Sequence, residues 1–169
     1  KKLPRRVFFI GNHEHRITRA LDLSPELEGT IGLGDLALED FYDEVVDYNG
    51  STPGTLEIDG VTYAHFVIAG VSGRPIGGDF QGRSLLAKRH RSVTVGHSHL
   101  FDHSIQGRGD GTFINGLSVG CYQDYTNDWA GNIGGLWRRG IAIKENVADG
   151  DYDLRWVSLD RLRKEYGEI

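Results

Sequence analysis

An α/β fold is the class this sequence predicts, on three observations. Two short apolar runs, Val7-Phe8-Phe9-Ile10 and Ser92-Val93-Thr94-Val95, each pass into a glycine and a polar loop that carries histidine, Gly11-Asn12-His13-Glu14-His15-Arg16 and Gly96-His97-Ser98-His99. A helical stretch from Ser84 to His90 feeds directly into the second run, the helix-to-strand order of α/β construction. The dipeptides Asp59-Gly60 and Asp149-Gly150 stand between strand-like runs, where Asp-Gly suits the tight turn of a twisted hairpin.

The elements follow in order. Val7 to Ile10 reads as a buried strand, and Arg16 to Leu23 as a helix with Ile17, Ala20 and Leu21 on one face. Ser24-Pro25 has the N-cap and first-position pattern of a new, short helix, stopped by Gly29. Asp35 is placed to cap a helix over Leu36 to Tyr42, and Glu44 to Tyr48 reads as a strand. Thr55 to Ile58 and Val61 to Ala69 flank Asp59-Gly60 as a hairpin, with His65 inside its second strand. Ser72 to Arg83 is a glycine-rich loop. Leu100 to Ile105 and Thr112 to Val119 are strands around the turn Gly109-Asp110-Gly111. Cys121 to Gly140 is a long loop rich in aromatics and amides, the kind that often serves function. In it Tyr122, Trp129 and Trp137 either pin the loop to the body or wall a base or sugar, with Arg138 and Arg139 near phosphate. Ile141 to Val147 and Tyr152 to Val157 form a last hairpin before a charged helix, Leu159 to Tyr166.

Composition narrows the function classes. The 169 residues suffice for one domain with a substantial core, and residues 1–169 read as a single domain. A net charge of −5 argues against a general electrostatic grip on nucleic acid. Cys121 is the one cysteine, so no disulfide forms within the chain. No apolar run approaches the roughly 20 residues that span a bilayer, and nothing at the start reads as a signal peptide. The expectation is a soluble, cytoplasmic protein without membrane contact. The sequence contains no Met and opens Lys1-Lys2-Leu3-Pro4-Arg5-Arg6 just ahead of a strand, which reads as the C-terminal portion of a longer chain.

Histidine is the commonest metal ligand in proteins, and His97 and His99 lie two residues apart. What gives the pair weight is that Gly-Asn-His and Gly-His-Ser-His both directly follow predicted strands, with His65 on a strand between them. Open α/β sheets bind ligands outside the carboxyl ends of their strands. In this respect the chain resembles the calcineurin-like metallophosphoesterases. Gly11-Asn12-His13-Glu14, the isolated His65 and Gly96-His97-Ser98-His99 follow in order that family's last three signature blocks. The loop containing Gly73-Arg74-Pro75-Ile76-Gly77-Gly78 and the segment Cys121-Tyr122-Gln123-Asp124-Tyr125 are similar to phage and prophage members.

The resemblance implies an α-β-β-α sandwich of mixed sheets, truncated on its N-terminal side, and metal-dependent hydrolysis of phosphoric esters by a metal-activated water. Asn12, His65 and His97 would ligate one ion of a dinuclear centre and His99 the other. His13 would be the acid toward the leaving oxygen, oriented by Glu14. Mixed nitrogen and oxygen ligands suit Mn, Fe or Zn. The family's other blocks, Asp-x-His and Gly-Asp-x-x-Asp, do not occur upstream of Gly11, so the second metal site is incomplete in this chain. The substrate would be a phosphate ester such as a nucleotide or nucleic acid, and an exposed sheet edge would offer a route to self-association. The alternative is a catalytically inactive binding or structural module that retains the fold. A cupin-like mononuclear protein is a third reading, weakened because Asp102 and His103 stand where that fold's Glu would be.

Overall fold

The computed structural model describes residues 4–125 and 127–167, so Lys1-Lys2-Leu3 and Thr126 of the long loop lie outside the described residues. The chain is mixed α/β with several sheets and divides into two compact units, residues 1–56 and 57–169.

In the first unit β1 (Val7–Phe9) runs parallel to β2 (Glu44–Val46), with Phe8 opposite Val45. The chain between them holds α1 (His15–Leu23), two 3-10 turns at Pro25–Leu27 and Leu33–Leu36, and α2 (Leu38–Phe41). Asp35 does cap, but not the helix predicted from Leu36. Its carboxylate accepts the Gly32 N–H at 2.8 Å and so closes the turn Leu33–Leu36. Ala37, left-handed at φ 46°, then breaks the chain direction before α2. The strand predicted to reach Tyr48 ends at Val46, because Tyr48 pairs in its own small hairpin, β3 (Tyr48–Asn49) with β4 (Thr52–Pro53).

In the second unit β5 (Thr55–Ile58), β6 (Val61–Ala64), β7 (Ser92–Val95), β8 (Phe101–Gly107) and β9 (Phe113–Val119) form one sheet in the order β5-β6-β7-β9-β8. β6, β7 and β9 are mutually parallel, whereas β8 is antiparallel to β9. The strand holding Val61 was predicted to continue to Ala69. It stops at Ala64 because the chain folds back there, Ile76 N–H donating to Val67 O at 2.8 Å.

Helix α3 (Gln81–Arg89) begins earlier than the predicted Ser84 and covers one face of the sheet. Ala64, Val67, Ile76, Leu85, Val93 and Val95 make the core between them. The approach is backbone to backbone. A Cβ added to Gly116 would lie 2.1 Å from Gly82 O, and one on Gly82 would lie 2.5 Å from Gly116 O. Gly82 N–H also donates to Asp102 Oδ2 at 2.7 Å, fixing the first turn of α3 to β8.

The opposite face receives the hairpin β10 (Gly140–Ala148) and β11 (Asp151–Ser158), which leads into α4 (Leu159–Tyr166). Ser158 caps α4, its Oγ accepting the Arg161 N–H at 3.2 Å. The turns Asp59-Gly60 (φ 50° and 78°) and Asp149-Gly150 (φ 49° and 91°) are left-handed at both positions, the geometry for which Asp-Gly is chosen. They also touch each other. Gly150 N–H donates to Asp59 O at 2.9 Å, and Ser92 Oγ donates to Gly150 O at 2.6 Å while accepting the Asn115 N–H at 3.0 Å.

This interface is polar. Lys144 on β10 is half-buried, its Nζ donating to Thr94 Oγ1 at 2.5 Å and Tyr63 Oη at 3.0 Å and lying over the rings of Tyr63 and Tyr152. Burial pulls its pKa from 10.5 down to about 7. Between those values the unfolded chain holds a proton that the folded chain does not, so stability rises with pH from about 7. Near pH 10 the slope reverses, because burial raises the pKa of Tyr63 and Tyr152 from the ordinary 10.0. Melting temperature measured from pH 6.5 to 9.5 should therefore climb, and Lys144→Met should flatten the climb while raising the value at pH 6.5.

Gly116→Ala should destabilise by about 2–3 kcal/mol or more in chemical denaturation, since backbone must move to admit the methyl group. Gly77→Ala, where a Cβ meets nothing within 4 Å, should be neutral or slightly stabilising.

Candidate functional site

The carboxyl ends of β6, β7 and β9 lie along one edge of the sheet because the three strands are parallel and in register, Ala64 pairing with Val95 and Val95 with Ser118. His65 is the first residue after β6, and Gly96 to His99 follow β7 directly. The backbone joins these two ends, as Gly96 N–H and His97 N–H both donate to His65 O, at 3.1 and 3.0 Å. The side chains meet as well. His97 Nδ1 lies 3.1 Å from His65 Nε2, with the rings edge-to-face at 74° and Phe66 packed against both.

That separation permits two arrangements. One imidazole can donate to the other, or both can turn lone pairs on a shared cation. Nitrogen ligands about 2.1 Å from one ion stand about 3.0 Å apart at right angles and about 3.4 Å apart in a tetrahedron, which brackets the observed spacing. The pair therefore fits two positions of a coordination shell. Among the described residues no group of three or more His, Cys, Asp or Glu side chains is gathered as a metal site.

The loop is held by an anchor that the sequence reading did not find. Ser98 donates to Gln81 Oε1 at 2.5 Å. Gln81 is 1% exposed and its Nε2 donates to Ile76 O at 2.7 Å. Ser118, fully buried at the end of β9, donates to Leu100 O at 2.7 Å and contacts Ser98 Oγ at 3.1 Å. Nothing local marked Ser98, which lies in a turn beyond β7 rather than on the strand. The same is true of Gln81.

His99 takes the left-handed conformation at φ 61° and lies edge-on to Trp137, centroids 4.5 Å apart. His99 O accepts the Arg138 N–H at 3.3 Å, so the far end of the long loop returns to the histidine turn. His103 is not part of this cluster. It lies in the polar layer under β11, Nε2 2.9 Å from Asn115 Oδ1, and Asn115 Nδ2 donates to Asp151 Oδ1 at 2.9 Å. His90 ends α3 as a left-handed, exposed C-cap whose carbonyl accepts from Arg108 at 2.6 Å.

In the first unit the chain leaves β1 through buried Ile10 and Gly11. Glu14 bends its carboxylate back onto the Gly11 N–H at 2.8 Å, and His15 N–H donates to Gly11 O at 3.0 Å, which together close the turn ahead of α1. This turn presents His13 at the surface and leaves Asn12 half-buried. His15 stacks flat on Tyr48, centroids 3.9 Å apart and 9° between planes. The Tyr48 hydroxyl is shifted to higher pKa by burial and then by the Glu14 charge.

Comparison of the chain with family models, with curated proteins and with solved structures yields no match.

The buried Ser98–Gln81 bond can be tested by itself. Ser98→Ala should lower the free energy of unfolding by about 1–3 kcal/mol, the cost of leaving the Gln81 carbonyl buried and unsatisfied. Ser98→Thr, which keeps the hydroxyl, should restore part of it in the same urea titration.

Proposed function

We propose that the chain is a metal-dependent phosphoric ester hydrolase of the calcineurin-like type. The observation that carries the reading is the convergence of His65 and His97, from the ends of two parallel strands, at a spacing that one cation can share. Their placement at the carboxyl ends of β6 and β7 agrees with where open α/β sheets hold ligands. The layering of α3, the five-stranded sheet and the β10–β11 hairpin supports the sandwich architecture the family would give.

In this reading His65 and His97 hold one ion, and His99 serves a second ion. A divalent ion bound there would supply an acidified water and charge neutralisation at a phosphoryl oxygen, and Mn, Fe or Zn suits the donor set. The chain's own residues do the rest. Ser98 and Gln81 hold the histidine turn, and His13 has the role the resemblance gives it, the acid toward the leaving oxygen. Glu14 acts on His13 through the turn it closes with Gly11.

A second reading, an inactive binding or structural module, is favoured by one specific fact. Among the described residues no group of three or more His, Cys, Asp or Glu side chains is gathered as a metal site.

The test is Mn2+ binding together with turnover of a generic aryl phosphate. Binding in wild type, a loss of at least about 10-fold in affinity in His97→Ala, and Mn-dependent turnover abolished by His13→Ala support the hydrolase. Metal bound with no turnover of aryl phosphates or diesters selects the inactive module, and no metal affinity at His65 and His97 removes the hydrolase.

A further inference from the structure

The segment from Cys121 to Arg139 leaves the sheet and returns to the same point. Cys121 N–H donates to Arg138 O at 3.0 Å, Gly140 N–H donates to Cys121 O at 2.9 Å, and Cys121 bridges in parallel to Arg139. Gly120, left-handed at φ 78°, allows the neck to close, since a Cβ there would lie 2.2 Å from Arg138 O. Above the neck the loop is wound in 3-10 turns over Asp128–Leu136, bent at Gly131.

Pinning this loop to the body requires one buried aromatic, and Trp137 supplies it at 7% exposure. The others are not used in that way. Tyr122, Tyr125 and Trp129 are 52%, 65% and 68% exposed, with Ile133 and Leu136 exposed beside them in the sequence. Large aromatic rings left in water on a closed loop mark a surface that meets something apolar and flat.

Trp129 has a fixed place relative to the histidine turn. Its ring packs on Trp137 with centroids 5.6 Å apart, and Trp137 in turn meets His99 at 4.5 Å. The exposed indole is therefore no more than about two ring contacts from a candidate metal ligand, a span that a nucleoside phosphate covers between its base and its phosphorus. The net charge of −5 disfavours a long polyanion but not a single nucleotide whose phosphate is neutralised locally.

We propose that Trp129 is a stacking platform for the base of a nucleotide ester whose phosphate occupies the histidine site; this rests on the phosphoesterase reading and assigns its substrate class. The platform contributes ground-state affinity and selects esters with a planar aromatic base over plain sugar phosphates. Because stacking is indifferent to hydrogen-bonding pattern, purine and pyrimidine nucleotides should both bind, the larger purine more tightly.

Equilibrium dialysis of adenosine 5′-monophosphate and ribose 5-phosphate, with and without Mn2+, on wild type, Trp129→Ala and Trp129→Phe decides it. Trp129→Ala should weaken the nucleotide by about 5- to 150-fold, leave ribose 5-phosphate unchanged, and be largely restored by Trp129→Phe. Far-UV circular dichroism should show all three proteins folded, since the residue is mostly exposed. Equal nucleotide affinity in wild type and Trp129→Ala overturns the platform, as does an equal loss for both ligands. Nucleotide binding that depends on Trp129 but not on Mn2+ overturns the metal reading and the placement of the phosphate with it, whereas dependence on Mn2+ without dependence on Trp129 overturns the platform alone.

Discussion

The contact between Gly82 and Gly116 is the constraint on which the second unit depends. Two backbones can come this close only where neither residue carries a Cβ, and the result is that the first turn of α3 lies directly on β9. Gln81, the first residue of that helix, is thereby sunk beneath the sheet edge, where its amide spans from Ile76 O to Ser98 Oγ. Ser98 then holds the turn through that bond, while His97 meets His65 and His99 meets Trp137. The placement of imidazoles at a strand end is thus decided by a helix-to-sheet distance several residues away.

The two faces of the same sheet are stabilised by different means. Toward α3 the contact is aliphatic, and its strength is that of apolar area removed from water. Toward the hairpin Lys144, Tyr63, Thr94, Ser92, Asn115 and Asp151 are joined by directional bonds. The Lys144 ammonium stands on two tyrosine rings and two hydroxyls rather than on a carboxylate, so attraction to the rings offsets part of what desolvation takes away. Apolar packing tolerates small slips of position. A polar layer does not, since a shift of one residue would leave these donors and acceptors buried without partners.

Much of this arrangement was legible in the residues. The strands from Val7 and Ser92, the two Asp-Gly turns and the helix Leu159–Tyr166 announced themselves through periodicity and turn chemistry, which are local properties. The His65, His97 and His99 positions stood out by following strands. What stayed hidden depends on distant partners. The strand through His65 ended early because Val67 pairs with Ile76, and Asp35 turned back to Gly32 because Ala37 adopts a left-handed conformation that composition does not signal. Gln81 fell within the glycine-rich loop Ser72 to Arg83 and Lys144 on a strand of the last hairpin, and only the packing of α3 and β10 buries them.

The bond from Ser92 Oγ to Gly150 O links residues 58 apart in sequence. Closing so long a stretch costs chain entropy before any contact returns it. The parallel strands and α3 can condense through nearer partners, whereas the hairpin that bears Lys144 must wait for a surface on which to land. A ribosome delivering this chain from its N-terminus would expose the histidine turn to solvent while residues 140–158 were still being made.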